Sequence, residues 1–234
     1  MTFDLHIIDW VAVSAIATGI MAVATFVTIV NSRKQFIELQ RQNFENALFS
    51  LLDRLEKTHN QVKYQVDIDY VSVGSDGFTS AWDDFKRRMD IELYQDANNS
   101  KFQERFRTEE AKRDIELTRT NYFLLIENNV TDFISYFNSL LSIIKYIDTS
   151  SFSIDGKHRY MTFILSQLTE INVLWLFYVC VLDERFSDLK RLVEKWSLLR
   201  DFKQWELIHP DHISWISPNA FNKIDHYCPV KVDK

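Results

Sequence analysis

Three groups of residues in this chain of 234 have the types and spacing for chemistry. Arg54 and His59 stand as Arg-x4-His in the run RLEKTH, and a guanidinium beside an imidazole can orient a phosphodiester and shuttle a proton. His209, His212, His226 and Cys228 offer three imidazoles and one thiolate, a donor set that zinc accepts. Gln167 and Glu170 are the polar residues inside a strongly apolar run, so they are the candidates for a buried polar site. Each group has a plainer reading beside it. Thirteen arginines, six histidines and three allowed spacings yield about one Arg–His match by chance. Residues five apart on a helix do not share one face. Pro210 separates the first two histidines, and no cysteine pair supports a zinc site. A core hydrogen bond accounts for Gln167 and Glu170. No GxSxG, Walker, HExxH or CxxC signature occurs. The expectation is a protein that is not an enzyme, with no cofactor and no metal. Arg54 and His59 stay as the alternative catalytic pair, and His209, His212, His226 and Cys228 as the alternative metal set.

The elements that must hold these residues are helices. Only 4 glycines and 3 prolines occur, too few for turn-rich β folds or glycine loops that cradle phosphates. Hydrophobic residues make up 46%, with 18 Phe, 9 Tyr and 6 Trp, enough for a sizeable core and against disorder. The net charge of −6, with basic residues dispersed, gives no general nucleic-acid signal. The 2 cysteines, Cys180 and Cys228, form no disulfide framework.

Residues 10–30 carry no charge, and 16 of these 21 are apolar. At about 1.5 Å per residue this run spans the ~30 Å hydrocarbon layer of a bilayer. Asp4 and Asp9 precede it, and Arg33, Lys34 and Arg41 follow, which fits an uncleaved anchor with its N-terminus outside and its bulk in the cytoplasm. The anchor residues are Trp10, Ile16, Ile20, Phe26 and Val30, closed by Arg33 and Lys34, and the partner they imply is a membrane lipid bilayer. A second apolar run, INVLWLFYVCVL (residues 171–182), is too short to cross a bilayer and reads as a core helix.

The expected fold class is all-α: a single N-terminal transmembrane helix, then a cytoplasmic helical bundle with a long first helix. Residues 1–32 hold the tail and anchor, 33–205 the helical domain with a loop insert at 67–80, and 206–234 an irregular tail. Phe44, Leu48, Leu51, Leu55, Thr58 and Val62 form one face of the long helix, either a wall of the bundle or a seam for a homo-oligomer through residues 44–62. The insert, with two of the glycines, reads as a loop with room for a short hairpin. Leu125, Ile126, Val130, Phe133, Phe137, Leu140, Leu141 and Ile144 form one broad apolar stripe across residues 122–147. Residues 159–182 read as one central helix, and Phe186, Leu189, Leu192, Val193, Trp196 and Leu199 as the inner face of a shorter one.

Three blocks resemble the AbiC-like phage abortive infection proteins, a family of membrane-anchored bacterial defence proteins: FENALFSLLDRLEKTHNQV at 44–62, YFNSLLSIIKYID at 136–148 and ILSQLTEINVLWLFYVCVLDERFSDLKRLVEKWSLLRDF at 164–202. The last carries the family's Gln-Leu pair (Gln167, Leu168), its Leu-Phe-Tyr (Leu176, Phe177, Tyr178) and its Lys-rich segment (Lys190, Leu192, Glu194, Lys195, Leu198, Leu199). Asn172 stands where the family tends to be acidic, Val179 where Asn is common, and Trp196 for Tyr. The resemblance implies a defence role as a sensor or effector acting through protein or membrane interactions, with a phage-encoded trigger or a defence-system component as partner, and no reaction. The Arg54–His59 spacing is similar to that of HEPN-type ribonucleases, also helical and common in abortive infection, although there a polar residue tends to follow the Arg and here Leu55 does. Alternatives to the sensor or effector role are therefore a membrane-tethered ribonuclease and a non-catalytic scaffold.

Overall fold

The computed structural model describes residues 5–67, 70–97 and 114–221. It is predominantly helical and divides into two units, Met1–Ser50 and Leu51–Lys234. The first long helix, α1 (Leu5–Gln61), runs for 57 residues, as expected where neither glycine nor proline occurs between Gly19 and Gly74. In the first unit, side chains from Ala12 through Ile29 are exposed, Trp10 at 72%, Ile20 at 64% and Phe26 at 68%. Its hydroxyls are satisfied within the helix: Thr18, Thr25 and Thr28 each donate to the carbonyl four residues back at 2.8 Å. Internal pairing is what a helix needs where no water is at hand. The segment is long and apolar enough to cross a membrane.

The second unit begins with the last turns of α1. A small antiparallel sheet follows, β1 (Lys63–Asp67) and β2 (Tyr70–Val73), with β3 (Val130–Thr131) on the other side of β1. The 67–80 insert is thus partly a hairpin, and α2 (Ser75–Ala97) starts inside it at Ser75. Gly74 makes the turn possible, with φ +61° and its N–H donating to Val62 O at 2.8 Å. Gly77 is needed for space, since a Cβ there would sit 3.1 Å from the carbonyl oxygens of Ser72 and Val62.

The rest is α3 (Ile115–Asn129), α4 (Phe133–Thr149), α5 (Ile154–Gln167), α6 (Glu170–Leu182) and α7 (Ser187–Trp196), with short 3-10 turns at Glu184–Phe186, Gln204–Glu206, Pro210–Trp215 and Pro218–Ala220. Two expectations are corrected. The stripe across 122–147 is two helices, because the chain leaves α3 into β3 and turns at Asp132 in the left-handed region, φ 59°. The central helix of 159–182 is also two, α5 and α6, bent by 112°. The break is built from side chains: Thr169 and Asn172 form a reciprocal capping box that opens α6.

The core centres on α6. Trp175 stacks on Phe85 at 5.6 Å between ring centroids, meets Phe133 edge-on at 5.1 Å and Trp82 at 5.5 Å, and donates its Nε1–H to Phe78 O at 3.1 Å. From Leu174 to Leu182 every side chain is buried, which accounts for a helix apolar on all sides. Leu55 and Val62, from the α1 stripe, are buried with it.

Candidate functional site

The end of α1, the first turn of α4 and the α5–α6 corner line a cleft of about 330 Å³. Asp53, Glu56 and His59 come from α1, Tyr136 from α4, and Gln167 and Asn172 from the corner. The His59 ring is half-buried, stacked on Phe78 at 5.2 Å and edge-on to Tyr136 at 5.7 Å. Burial pushes the Tyr136 hydroxyl pKa well up, so it stays a protonated donor at neutral pH.

Asn172 is the unusual residue of the cleft. It is 2% exposed, and its Oδ1 accepts from the Thr169 N–H at 3.3 Å and from the Thr169 hydroxyl at 2.5 Å. The Thr169 hydroxyl in turn accepts from the Asn172 N–H at 3.3 Å. A backbone N–H can only donate, so Oδ1 must face Thr169 and the amide cannot be turned over. The Nδ2 is consequently buried without an acceptor, the one such side-chain atom found among the described residues. A buried donor left unmatched costs about 1–3 kcal/mol.

The residues singled out by sequence are scattered. Arg54 is exposed and does not line the cleft that holds His59; five residues at about 100° each turn the two side chains to different faces. Gln167 and Glu170 are exposed, correcting their reading as buried polar residues: they lie at the end of α5 and the start of α6, and Glu170 pairs with Lys203. Asn172 is the buried polar side chain of that run. His209 and His212 are both buried, their rings 5.9 Å apart. His212 Nδ1 lies 2.9 Å from the Tyr178 hydroxyl, which accepts from the Ile208 N–H at 3.0 Å, and its ring stacks on Trp215 at 3.7 Å. His209 Nδ1 accepts from the Asp211 N–H at 3.1 Å. His212 thus fastens the segment after α7, a part expected to be irregular, to α6, while His209 caps the turn that carries it. His226 and Cys228 lie outside the described residues, and among the described residues no three potential ligands meet. Cys180 is buried, which pushes its thiol pKa far up and leaves it unsuited to nucleophilic work.

A second polar cluster joins β1 to α2. Asp84, its side chain 4% exposed, accepts from Arg88 Nε at 2.8 Å and from Arg87. Burial raises its pKa, but the hydrogen bonds from Arg88, Arg87 and Tyr64 outweigh that and hold the carboxyl below its ordinary range. Burial, with Asp84 beside it, pushes the Tyr64 hydroxyl up to about 12.

Compared with known proteins, residues 128–207 match a family model described as "putative phage abortive infection protein". The matched region runs from the end of α3 to just past the Gln204–Glu206 turn, so it takes in the core helix α6 and the corner that carries Asn172. No curated protein and no solved structure matches the chain.

Proposed function

We propose, from the family match over residues 128–207, that this chain is an anti-phage defence protein of the abortive infection type, held on the bacterial cytoplasmic membrane by α1. The match carries the reading. The anchor is supported by a run of exposed apolar side chains whose threonines bond back into their own helix. Acidic residues before the run and Arg33, Lys34 and Arg41 after it favour an N-terminus outside and the second unit in the cytoplasm. There it acts as a sensor or effector through protein or membrane contacts, with a phage protein or a defence-system component as the trigger.

The test is phage plating on cells that express the full chain, against the double variant Ile20→Lys, Phe26→Lys. Each lysine near the middle of a span disfavours insertion by about 2.5–3.5 kcal/mol. The wild-type chain is expected in the membrane fraction with reduced plating of sensitive phages. The variant is expected to leave that fraction and lose protection. Full protection by a variant that no longer sediments with membranes would refute the anchor, and unchanged plating across a broad phage panel with the wild-type chain would refute the defence role.

A further inference from the structure

The β-branched side chains of α1 keep one heptad phase. With Val13 at a and Ile16 at d, the six a and d positions within residues 10–30 are Val13, Ile16, Ile20, Val23, Val27 and Val30, whereas only two of the other fifteen positions hold Val or Ile. The phase runs on through Ile37 at d to Phe44, Leu48, Leu55 and Val62. From Phe44 onward these four residues are buried, while Val13, Ile16, Ile20, Val23, Val27 and Ile37 are exposed. A bilayer asks for apolar side chains but sets no phase. A repeat of seven drifts by about 20° per heptad on a straight helix, so it keeps one face only where helices wind around each other. Val and Ile hold nearly one rotamer in a helix, so packing them against a neighbour costs little side-chain entropy. Ala17, Gly19 and Ala24 flank the stripe and let two backbones approach. Ile37 lies roughly 10 Å past Val30 along the helix, beyond the charge-free run, and is still in phase.

We propose that the exposed stripe of residues 13–37 packs against the same stripe of a second copy of this chain, in a parallel left-handed coil. The pairing rests on the anchor reading, since two copies inserted in one membrane with one orientation are parallel. A parallel pair sets each a or d residue beside its own counterpart, and each g residue beside the e residue five positions further along the other copy. Arg33 is a g residue and Glu38 is that e residue, so the ion pair between copies forms twice. Anionic lipid headgroups attract Arg33 but repel Glu38, so lipid does not satisfy both charges. The charged a residues lie past the span: Arg41 is turned to Glu45 at 2.9 Å, and Lys34 is exposed, with a stem long enough to carry its ammonium out of the seam. A polar residue at an a position also fixes the register of a coil.

Disulfide cross-linking in isolated membranes tests it, on the full chain carrying Cys228→Ser, in which the remaining Cys180 is buried. Val27→Cys and Val30→Cys are expected to give a cross-linked dimer on mild oxidation. Thr25→Cys and Thr28→Cys, on the opposite side of the helix, are expected to give several times less. In the Val30→Cys chain, Glu38→Lys is expected to lower the cross-linked fraction severalfold, and adding Arg33→Glu to restore it. A chain that reaches the membrane fraction but cross-links through neither position 27 nor position 30 overturns the pairing and leaves the anchor standing. Equal or stronger cross-linking through positions 25 and 28 overturns the assigned face, and an unchanged yield with Glu38→Lys overturns the register. A chain absent from the membrane fraction overturns the anchor and this pairing with it.

Discussion

The two most apolar runs of the chain, residues 10–30 of α1 and residues 171–182 of α6, have similar side chains and opposite surroundings. Those of α1 are exposed from Ala12 to Ile29, while those of α6 are enclosed from Leu174 to Leu182. The difference follows from length and ends rather than composition. The α6 run is 12 residues long, opened by a capping box at Thr169 and closed where the Asp183 N–H donates to Val179 O, so it fits the thickness of a small domain. The α1 run is part of a helix of 57 residues with no local stop, and protein covers none of its most apolar window. Leaving that much apolar surface in water forgoes roughly 25 cal/mol for each Å². An apolar helix is stable either inside a matched core or inside an apolar solvent, and hydropathy alone does not distinguish the two.

The largest expected effect tests this directly. Phe177 is fully buried and stacks on Phe202 at 5.4 Å, so Phe177→Ala should cost about 3–5 kcal/mol through the cavity it leaves. Phe26→Ala removes the same ring from an exposed site and should change the unfolding of the second unit by less than about 0.5 kcal/mol. Tryptophan fluorescence during denaturation of the full chain in detergent reads both. Equal losses would mean that the α1 run is also protein core.

What the sequence made legible was what depends on local period and length. The charge-free run at 10–30 and the inward faces of α4 and α7 follow from spacing, and Phe133, Phe137, Leu140 and Ile144 are all buried as that spacing requires. The break at Thr169 was not legible through glycine or proline, since neither is there; its signal was the Thr-x-x-Asn spacing, which resembles a capping box with Asn in the Glu/Gln place. Once the helix restarts at Glu170 its phase is reset, so Asn172 points inward where Gln167 and Glu170 had seemed the buried pair. β3 is two residues long and exists through its pairing with Lys63 and Tyr64, a contact no local pattern encodes. The same holds for Tyr178 and His212, which meet across 34 residues of sequence.

The contrast between the two regions extends to their polar groups, and pH sharpens it. Threonines 18, 25 and 28 bond to their own helix and do not titrate, whereas Asp84 depends on charged partners. Its pKa is lowered in the folded state, so its stabilisation is complete above the unfolded carboxyl value of about 3.9 and disappears as pH falls through the folded one. Asp84→Asn should therefore destabilise the second unit at pH 7 by about 1.5–3 kcal/mol, the worth of hydrogen bonds to a charged group. The deficit should shrink as the pH is lowered from 5 to 3. A deficit that is constant over that range would assign Asp84 a packing role.

The smallest effect concerns Arg54, at the end of α1 where the exposed helix gives way to the packed unit. Its side chain is exposed and lies off the cleft that takes in His59, so its removal leaves no cavity and no unmatched buried partner. Arg54→Ala should alter stability by less than about 0.5 kcal/mol and leave phage plating as in the wild-type chain. A nuclease built on Arg54 and His59 needs the guanidinium to hold a phosphodiester, and loss of a group acting on the transition state lowers rates by about 10²–10⁴-fold. Protection would then vanish while the protein stayed folded and membrane-bound. Plating efficiency together with protein level in the membrane fraction separates the two outcomes, and abolished protection at undiminished level would replace the non-enzymatic reading with the ribonuclease.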